Sequence, residues 1–136
     1  MTETEQSLVL IKPDGVSRGL VGEIISRFEK RGFLIRHLKM MTISRETAQQ
    51  HYGEHEGKSF YLPLIDFITS GSIVAMVIEG ERAISIIRAM CGATDAGQAT
   101  PGTIRGDFAI WNSRNVVHAS DSISSALREI KLFFQS

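Results

Sequence analysis

The residues best equipped for chemistry lie between Asn115 and Ile123, N-V-V-H-A-S-D-S-I. Two β-branched residues, Val116 and Val117, lead into His118. The small and capping residues Ala119, Ser120, Asp121 and Ser122 follow, and then a helical spacing begins. A strand that ends in a histidine and turns into a helix N-terminus sets an imidazole beside free backbone N–H donors, which suits chemistry on an anion such as phosphate. A neutral imidazole nitrogen is a competent nucleophile near neutral pH when an acceptor holds its other nitrogen. Glu129, on the helix that follows, can serve as that acceptor if the helix folds back beside its strand. Lys12 closes the first strand and becomes a neighbour of His118 if strands one and four pair. Arg88 and Arg105 offer forked donors to phosphate oxygens. Arg105 lies in the turn P-G-T-I-R-G-D (Pro101 to Asp107), and Thr94 sits in the loop between the two arginines. Taken singly, each has a plain structural explanation: a surface cation, a helix-face charge, a hydrogen-bonded strand end.

These side chains need elements to position them. Leu8 to Ile11 reads as a strand ending at the turn signal Lys12-Pro13-Asp14-Gly15. Val21, Ile24, Ile25 and Phe28 recur at helical spacing, and Gly32 suits the residue beyond that helix's C-terminus. Phe33 to Met41 reads as a strand. Ser44 caps a short helix reaching about Tyr52, Gly53 to Ser59 is loop-like, and Tyr61 to Ile68 is helical. Ile73 to Ile78 is a continuous apolar run, the mark of a central strand covered on both faces. Glu81 to Met90 is a helix with Ala83, Ile84, Ile87 and Met90 on one side. Cys91 to Thr103 is a long loop without apolar period, of the kind that often carries function. Phe108 to Trp111 is extended, Asn115 to His118 is the last strand, and Ile123, Ala126, Leu127, Ile130 and Phe134 mark the apolar stripe of the final helix, with Glu129 off it. The order β-α-β-α-β-α-β-α fits an α+β, ferredoxin-like split βαβ sandwich. Its four-stranded antiparallel sheet would carry helices packed on one face. A flavodoxin-like doubly wound sheet is the alternative, for which the chain is a strand or two short.

With 136 residues the chain forms a single domain, residues 1–136. Its mean hydropathy of +0.01 predicts a packed core. Fifteen basic and fifteen acidic residues balance, which argues against broad attraction to nucleic acid or membrane and requires any anion site to be a local cluster. A lone cysteine, Cys91, rules out an internal disulfide and fits a reducing cytosol. The polar start, M-T-E-T-E-Q-S, is no signal or transit peptide, and no apolar run is long enough to span a bilayer.

Three weaker motifs have ordinary explanations. Gly53 to Ser59, G-E-H-E-G-K-S, resembles a phosphate-binding loop but is one residue short and follows a helix where a strand is needed. Arg31-Gly32-Phe33 begins an RNA-binding pattern that Leu34 and Ile35 break. His51 and His55 sit four apart, as a helical metal clip would, but Gly53 separates them and no third ligand is evident, so both read as surface histidines. His37 reads as a strand histidine that packs or hydrogen-bonds locally.

Four segments together resemble the nucleoside diphosphate kinase family: I-K-P-D-G-V-S-R-G-L-V-G-E-I-I-S-R-F-E (Ile11 to Glu29), S-G-S-I-V-A-M-V-I-E-G (Ser70 to Gly80), P-G-T-I-R-G-D-F (Pro101 to Phe108) and R-N-V-V-H-A-S-D-S (Arg114 to Ser122). They span nearly the whole chain in order. The resemblance implies a ping-pong reaction in which His118 takes the γ-phosphoryl group from a nucleoside triphosphate and passes it, as phosphohistidine, to a nucleoside diphosphate. It further implies that Lys12 and Asn115 bind the ribose hydroxyl and nearby phosphate oxygens, that Arg88, Thr94 and Arg105 clamp the phosphates, and that Phe60 stacks on the base. Tyr52 and Glu129 would flank His118, with Glu129 orienting it. Mg²⁺ would ride mainly on the phosphates, with Asp121 reaching it through water and no direct protein ligand. A cytoplasmic homo-oligomer, tetramer or hexamer, belongs to the same expectation, with no membrane and no nucleic acid required.

Ala119 stands where the family usually has glycine and therefore needs backbone angles that alanine tolerates. Asn112 replaces a common aliphatic residue beside the base. Ala96 replaces a frequent proline, and the chain stops at Ser136 without the longer tail of many relatives. A non-catalytic nucleotide- or RNA-binding module, and a degenerate scaffold, are the rival functions.

Overall fold

The structure, a computed structural model, describes residues 3–112 and 114–134. Met1, Thr2 and the terminal Ser136, on which the readings of the chain's ends rest, lie outside the described residues.

Four strands, β1 (Thr4–Ile11), β2 (Leu34–Met41), β3 (Ile73–Glu81) and β4 (Val117–Ala119), form one antiparallel sheet in the order β2-β3-β1-β4. Among the described residues seven helices connect and cover them: α1 (Pro13–Ser17), α2 (Val21–Arg31), α3 (Arg45–His51), α4 (Tyr61–Ile68), α5 (Ala83–Cys91), α6 (Ile104–Phe108) and α7 (Ile123–Phe134). Two 3₁₀ turns occupy Gly53–His55 and Ala96–Gln98. This is the α+β ferredoxin-like arrangement. The antiparallel pairing throughout excludes the doubly wound alternative, which needs parallel neighbours.

Helices cover both faces of the sheet, not the single face expected. In β1 successive side chains alternate between two cores. Val9 and Ile11 pack with Ile24 and Phe28 of α2 and Ile87 of α5, whereas Leu8 and Leu10 pack with Ala48 of α3, Ile65 of α4 and Phe133 of α7. An unbroken apolar run is therefore required of β1 and β3, whose residues Leu8 to Ile11 and Ile73 to Ile78 are buried on both sides. Each fully buried aliphatic or aromatic side chain contributes about 1.5–3 kcal/mol relative to exposure.

The local signals explain the helix ends. Gly32 takes φ 109° and returns its N–H to Glu29, ending α2. Ser44 accepts the Thr47 N–H at the start of α3. That chemistry also accounts for the two weak motifs: Arg31-Gly32-Phe33 is a helix end feeding β2, and the Gly53 segment is a short turn after α3 with no preceding strand.

Three of the helical segments, α1, α6 and α7, differ from the sequence expectation. The Pro13 turn is a helix, α1, with proline at its start, where a missing N–H costs nothing. The segment holding Arg105 is also a helix: Thr103 caps α6 by accepting the Gly106 N–H, and a Cβ at Gly106 would collide with the Thr100 carbonyl. Phe108 thus ends a helix, and Ala109 beyond it is extended. The last helix is rotated. Ile123 and Leu127 are 56% and 66% exposed, and the inward stripe is Ala126, Glu129, Ile130 and Phe133. Among the described residues no helix is long and apolar enough to cross a membrane.

Candidate active site

β1 and β4 meet with Leu10 opposite His118. Because Leu10 faces the core under α3, α4 and α7, His118 faces it too. A cleft of about 810 Å³ opens there, lined among others by Lys12, His51, Tyr52, Phe60, Arg88, Thr94, Arg105, Asn112, Asn115, His118, Asp121 and Glu129. All the residues singled out for phosphate chemistry thus share one cavity, with His118 partly open to it.

The rotation of α7 is what carries Glu129 to the histidine. Glu129 is 4% exposed, and its Oε1 lies 3.0 Å from His118 Nε2. The Ser120 hydroxyl donates to the same oxygen at 2.7 Å and accepts the Leu8 N–H at 3.0 Å. A continuous chain therefore runs from the β1 backbone through Ser120 to Glu129 and the imidazole. A buried carboxylate with two donors is satisfied, which is why a charged residue can occupy the inward stripe. With Glu129 ionised, Nε2 carries the ring proton and Nδ1 keeps its free electron pair.

His118 owes its placement to a strained residue. Val116 sits at φ 77°, a left-handed conformation rare for a β-branched side chain. It is not part of β4, contrary to the expected Asn115-to-His118 strand, because its backbone turns outward to bond elsewhere. Its N–H donates to Asp14 Oδ2 at 3.1 Å, and its carbonyl accepts the Lys12 N–H at 2.7 Å. Both contacts come from the first turn after β1. They hold a conformation that costs about 1–3 kcal/mol in isolation, a pattern that clusters at functional sites.

The cations converge on the cleft differently. Lys12 is buried and donates to Asn115 Oδ1 at 2.8 Å, and Asn115 Nδ2 donates to the carbonyls of Thr94 and Asn112. Burial, reinforced by Arg105, lowers the Lys12 ammonium to about 8. Arg105 is also buried. Its two Nη groups bond the carbonyls of Gly92 and Val117 at 2.8 Å each, and its Nε has no partner among the described residues. Burial, with Arg88 adding to it, lowers its pKa. Arg88 is exposed and donates to the Ala119 carbonyl at 3.2 Å. Ala119 itself is ordinary strand backbone in register with Val9, so alanine fits without strain.

Tyr52 buries its hydroxyl without a partner among the described residues, and burial together with the Glu129 charge raises its pKa strongly. Phe60 stands 49% exposed at the rim, beside the His55 ring. The Ser125 hydroxyl, with Arg88 nearby, holds the exposed Asp121 carboxyl below its usual range.

His51 contradicts its reading as a surface residue. It is 3% exposed, with its ring edge-on to those of His118 and Phe133 at centroid distances of 4.7 and 5.3 Å. Burial first, then the positive side of its surroundings, lowers its pKa well below 6.5, so the ring is neutral. Its signal was helical spacing: Ala48, His51 and Tyr52 fall at i, i+3 and i+4, the inward stripe of α3. His55 remains at the rim and His37 packs against Phe134. Ser120 and Asp14 were missed because a serine among capping residues and an aspartate in a turn look like local hydrogen-bonders.

Residues 5–136 match the family model described as nucleoside diphosphate kinase. The chain is 58% identical to the nucleoside diphosphate kinase of Staphylothermus marinus, covering 97% of this chain and 94% of the relative. Identity to that of Pelotomaculum thermopropionicum is 61%, covering 97% and 89%. Among solved structures, a halophilic nucleoside diphosphate kinase from Halobacterium salinarum in complex with CDP superposes with a TM-score of 0.96 at 46% identity, covering 98% of this chain and 90% of that one. The Aquifex aeolicus nucleoside diphosphate kinase gives 0.94 at 38% identity, covering 98% and 97%.

Proposed function

The chain belongs to the nucleoside diphosphate kinase family, enzymes that transfer phosphate between nucleotides, and we propose that its own reaction runs in two halves through a phosphohistidine at His118. The observation that carries this reading is the 3.0 Å contact of His118 Nε2 with Glu129, which leaves Nδ1 as the free nitrogen of a side chain that lines the cleft.

In the first half-reaction the Nδ1 electron pair attacks the γ-phosphorus of a nucleoside triphosphate. The N–P bond forms, the bridging P–O bond breaks, and the nucleoside diphosphate leaves with that electron pair. The Nε2 proton stays on the ring, and Glu129 balances the positive charge that develops on the imidazole. In the second half a different nucleoside diphosphate takes the group by the reverse displacement. Lys12, Arg88 and Arg105 neutralise charge on the phosphate oxygens, the main need of phosphoryl transfer. Asn115 positions Lys12 and reaches the ribose hydroxyl, and Thr94 adds a phosphate contact. Tyr52 flanks the imidazole and limits water around it. Phe60 stacks on the base, a contact that tolerates any base. The CDP complex of the halobacterial relative supports reading the cleft as a nucleotide site.

The donor chemistry of the cleft fits Mg²⁺ carried by substrate. Besides its cations the cleft offers the exposed carboxylates Glu54, Asp95 and Asp121, which among the described residues do not gather into a metal-holding group, whereas a protein cage for Mg²⁺ would need several oxygens at one point. Asp121 would hold the hydrated ion through water. Bound Mg²⁺ would supply charge neutralisation on the phosphate oxygens.

The same proposal covers one domain of residues 1–136 working in the cytoplasm as a homo-oligomer, tetramer or hexamer. The lone, buried Cys91 supports a reducing compartment. The edge strand β2, with exposed Leu34, Leu38 and Met40, supports self-association.

After brief mixing with ATP and Mg²⁺, the intact mass of the wild type should rise by one phosphoryl group, and that of His118→Ala should not. A binding module would show no shift in either protein, and a degenerate scaffold would assemble without turnover.

A further inference from the structure

His51 is buried against the proposed nucleophile, yet no step of the proposed reaction uses it. Both of its ring nitrogens lie out of solvent with no hydrogen-bond partner among the described residues. A buried polar group left unpaired costs about 1–3 kcal/mol, so a histidine in that state calls for a partner that the protein itself does not provide. It is also not isolated. One nitrogen of His51, one nitrogen of His118 and one carboxylate oxygen of Glu129 all lie within 4.8 Å of one another. A tetrahedral zinc ion with bonds of about 2.0–2.1 Å sets neighbouring ligand atoms about 3.3 Å apart. The His118 Nε2–Glu129 Oε1 pair stands at 3.0 Å already, so closure requires mainly a modest swing of the His51 ring.

We propose that His51, His118 and Glu129 form an inhibitory site for a borderline divalent transition-metal ion, Zn²⁺ being the type case, distinct from the substrate-borne Mg²⁺. Two imidazoles and one carboxylate with a fourth position open to the cleft is a zinc donor set. Mg²⁺, which demands six oxygen ligands, is excluded by the two nitrogens. Inhibition follows from the electron count of the His118 ring. A neutral imidazole has one free pair. An ion on Nε2 moves the ring proton to Nδ1, so Nδ1 loses its pair, and an ion on Nδ1 occupies that pair itself. Either way the ring cannot attack phosphorus.

The inhibition arm rests on the reading of His118 as the phosphoryl acceptor, and the test keeps the two apart. Zn²⁺ binding is followed by calorimetry on the full chain, and the visible absorption of Co²⁺ reports a four-coordinate, nitrogen-containing site without reference to activity. The expected result is one tight equivalent per chain in the wild type, lost in His51→Gln and kept in His55→Gln, the surface control. Phosphotransfer by the wild type and His55→Gln should be blocked by Zn²⁺ and restored by chelator. His51→Gln, folded as judged by circular dichroism, should turn over and resist Zn²⁺ by at least about tenfold in inhibitory concentration, or about 1.4 kcal/mol of lost affinity. Equal binding by His51→Gln, or loss in His55→Gln, overturns the site. Binding at His51 without inhibition overturns the regulatory claim. A protein that forms the Co²⁺ site but never turns over would contradict the proposed reaction and leave the metal site standing.

Discussion

Replacing Ser120 with alanine tests the chain of hydrogen bonds behind His118. The Ser120 hydroxyl has one proton and two possible acceptors, Glu129 Oε1 at 2.7 Å and the Leu8 carbonyl at 3.4 Å. The shorter, charge-assisted contact wins. Alanine removes that bond and strands the buried Leu8 N–H, which Ser120 Oγ accepts at 3.0 Å. A hydrogen bond to a charged group is worth about 1.5–3 kcal/mol, and an orphaned buried donor costs about 1–3 kcal/mol. Allowing for relaxation, the loss is about 2–4 kcal/mol. An unfolding entropy of about 2.1 cal/mol/K per residue over this chain converts that to a Tm about 7–14 °C lower. The His118–Glu129 contact remains, so kcat should fall by less than about tenfold, or 1.4 kcal/mol. Thermal unfolding and steady-state transfer measure the two effects. The Ser120→Ala and Glu129→Gln changes should couple in a double-mutant cycle by about 1 kcal/mol or more. A Tm within about 2 °C of wild type would refute the buried chain. A collapse in kcat with unchanged stability would mean that Ser120 acts in the chemistry and not behind it.

Lys12 gives a pH prediction. Its folded-state value of about 8 lies below the ordinary 10.5 of a lysine, so the unfolded chain binds the extra proton, and the penalty of burying the ammonium is full below about pH 8 and relieved as pH rises toward 10.5. Wild type should therefore gain stability relative to Lys12→Met by up to about 3 kcal/mol between about pH 7.5 and about pH 10, and denaturation curves that stay parallel would refute this. In the free enzyme the same deprotonation removes a phosphate-facing cation, so kcat/KM should fall above about pH 8, and the Lys12→Met profile should lack that limb. Arg105→Lys keeps a charge but loses the fork that bridges Gly92 and Val117, and should lower kcat/KM about 10²- to 10³-fold; unchanged constants would remove Arg105 from the site. At Val116, whose φ of 77° favours glycine, Val116→Gly should be more stable than Val116→Ala by about 1 kcal/mol in urea unfolding, the reverse of the usual order, and an alanine variant that is the more stable would refute the strain.

Much of the fold was legible because the apolar pattern states it. The runs at Leu8 to Ile11 and Ile73 to Ile78 leave no polar face, and such strands must be covered on both sides. The double cover expected for Ile73 to Ile78 extends to the whole sheet, against the single helical face expected of it, and the second layer places α3 and α7 over His118. Helix rotation was the other gap. Ile123 and Leu127 read as inward because they are apolar, but Glu129 needs the donors of His118 and Ser120 more than those side chains need burial, and the helix turns accordingly. An unpaired buried carboxylate costs more than two exposed aliphatic groups. The grouping of Lys12, Arg88, Arg105 and His118 in one cleft followed from strand order, since pairing β1 with β4 brings both strand ends together. Val116 could not be foreseen, because nothing local in N-V-V-H asks for a left-handed valine. The contacts that impose it come from Asp14 and Lys12, about a hundred residues away.

The most direct test of the central claim isolates the half-reaction. Protein exposed to γ-labelled ATP with Mg²⁺ is freed of nucleotide and quenched in alkali, where a phosphoramidate survives, or else chased with unlabelled GDP. The account predicts label on the polypeptide at His118, and its full transfer to GTP in the chase. Label that never stays with the protein, or that GDP cannot remove, would contradict it.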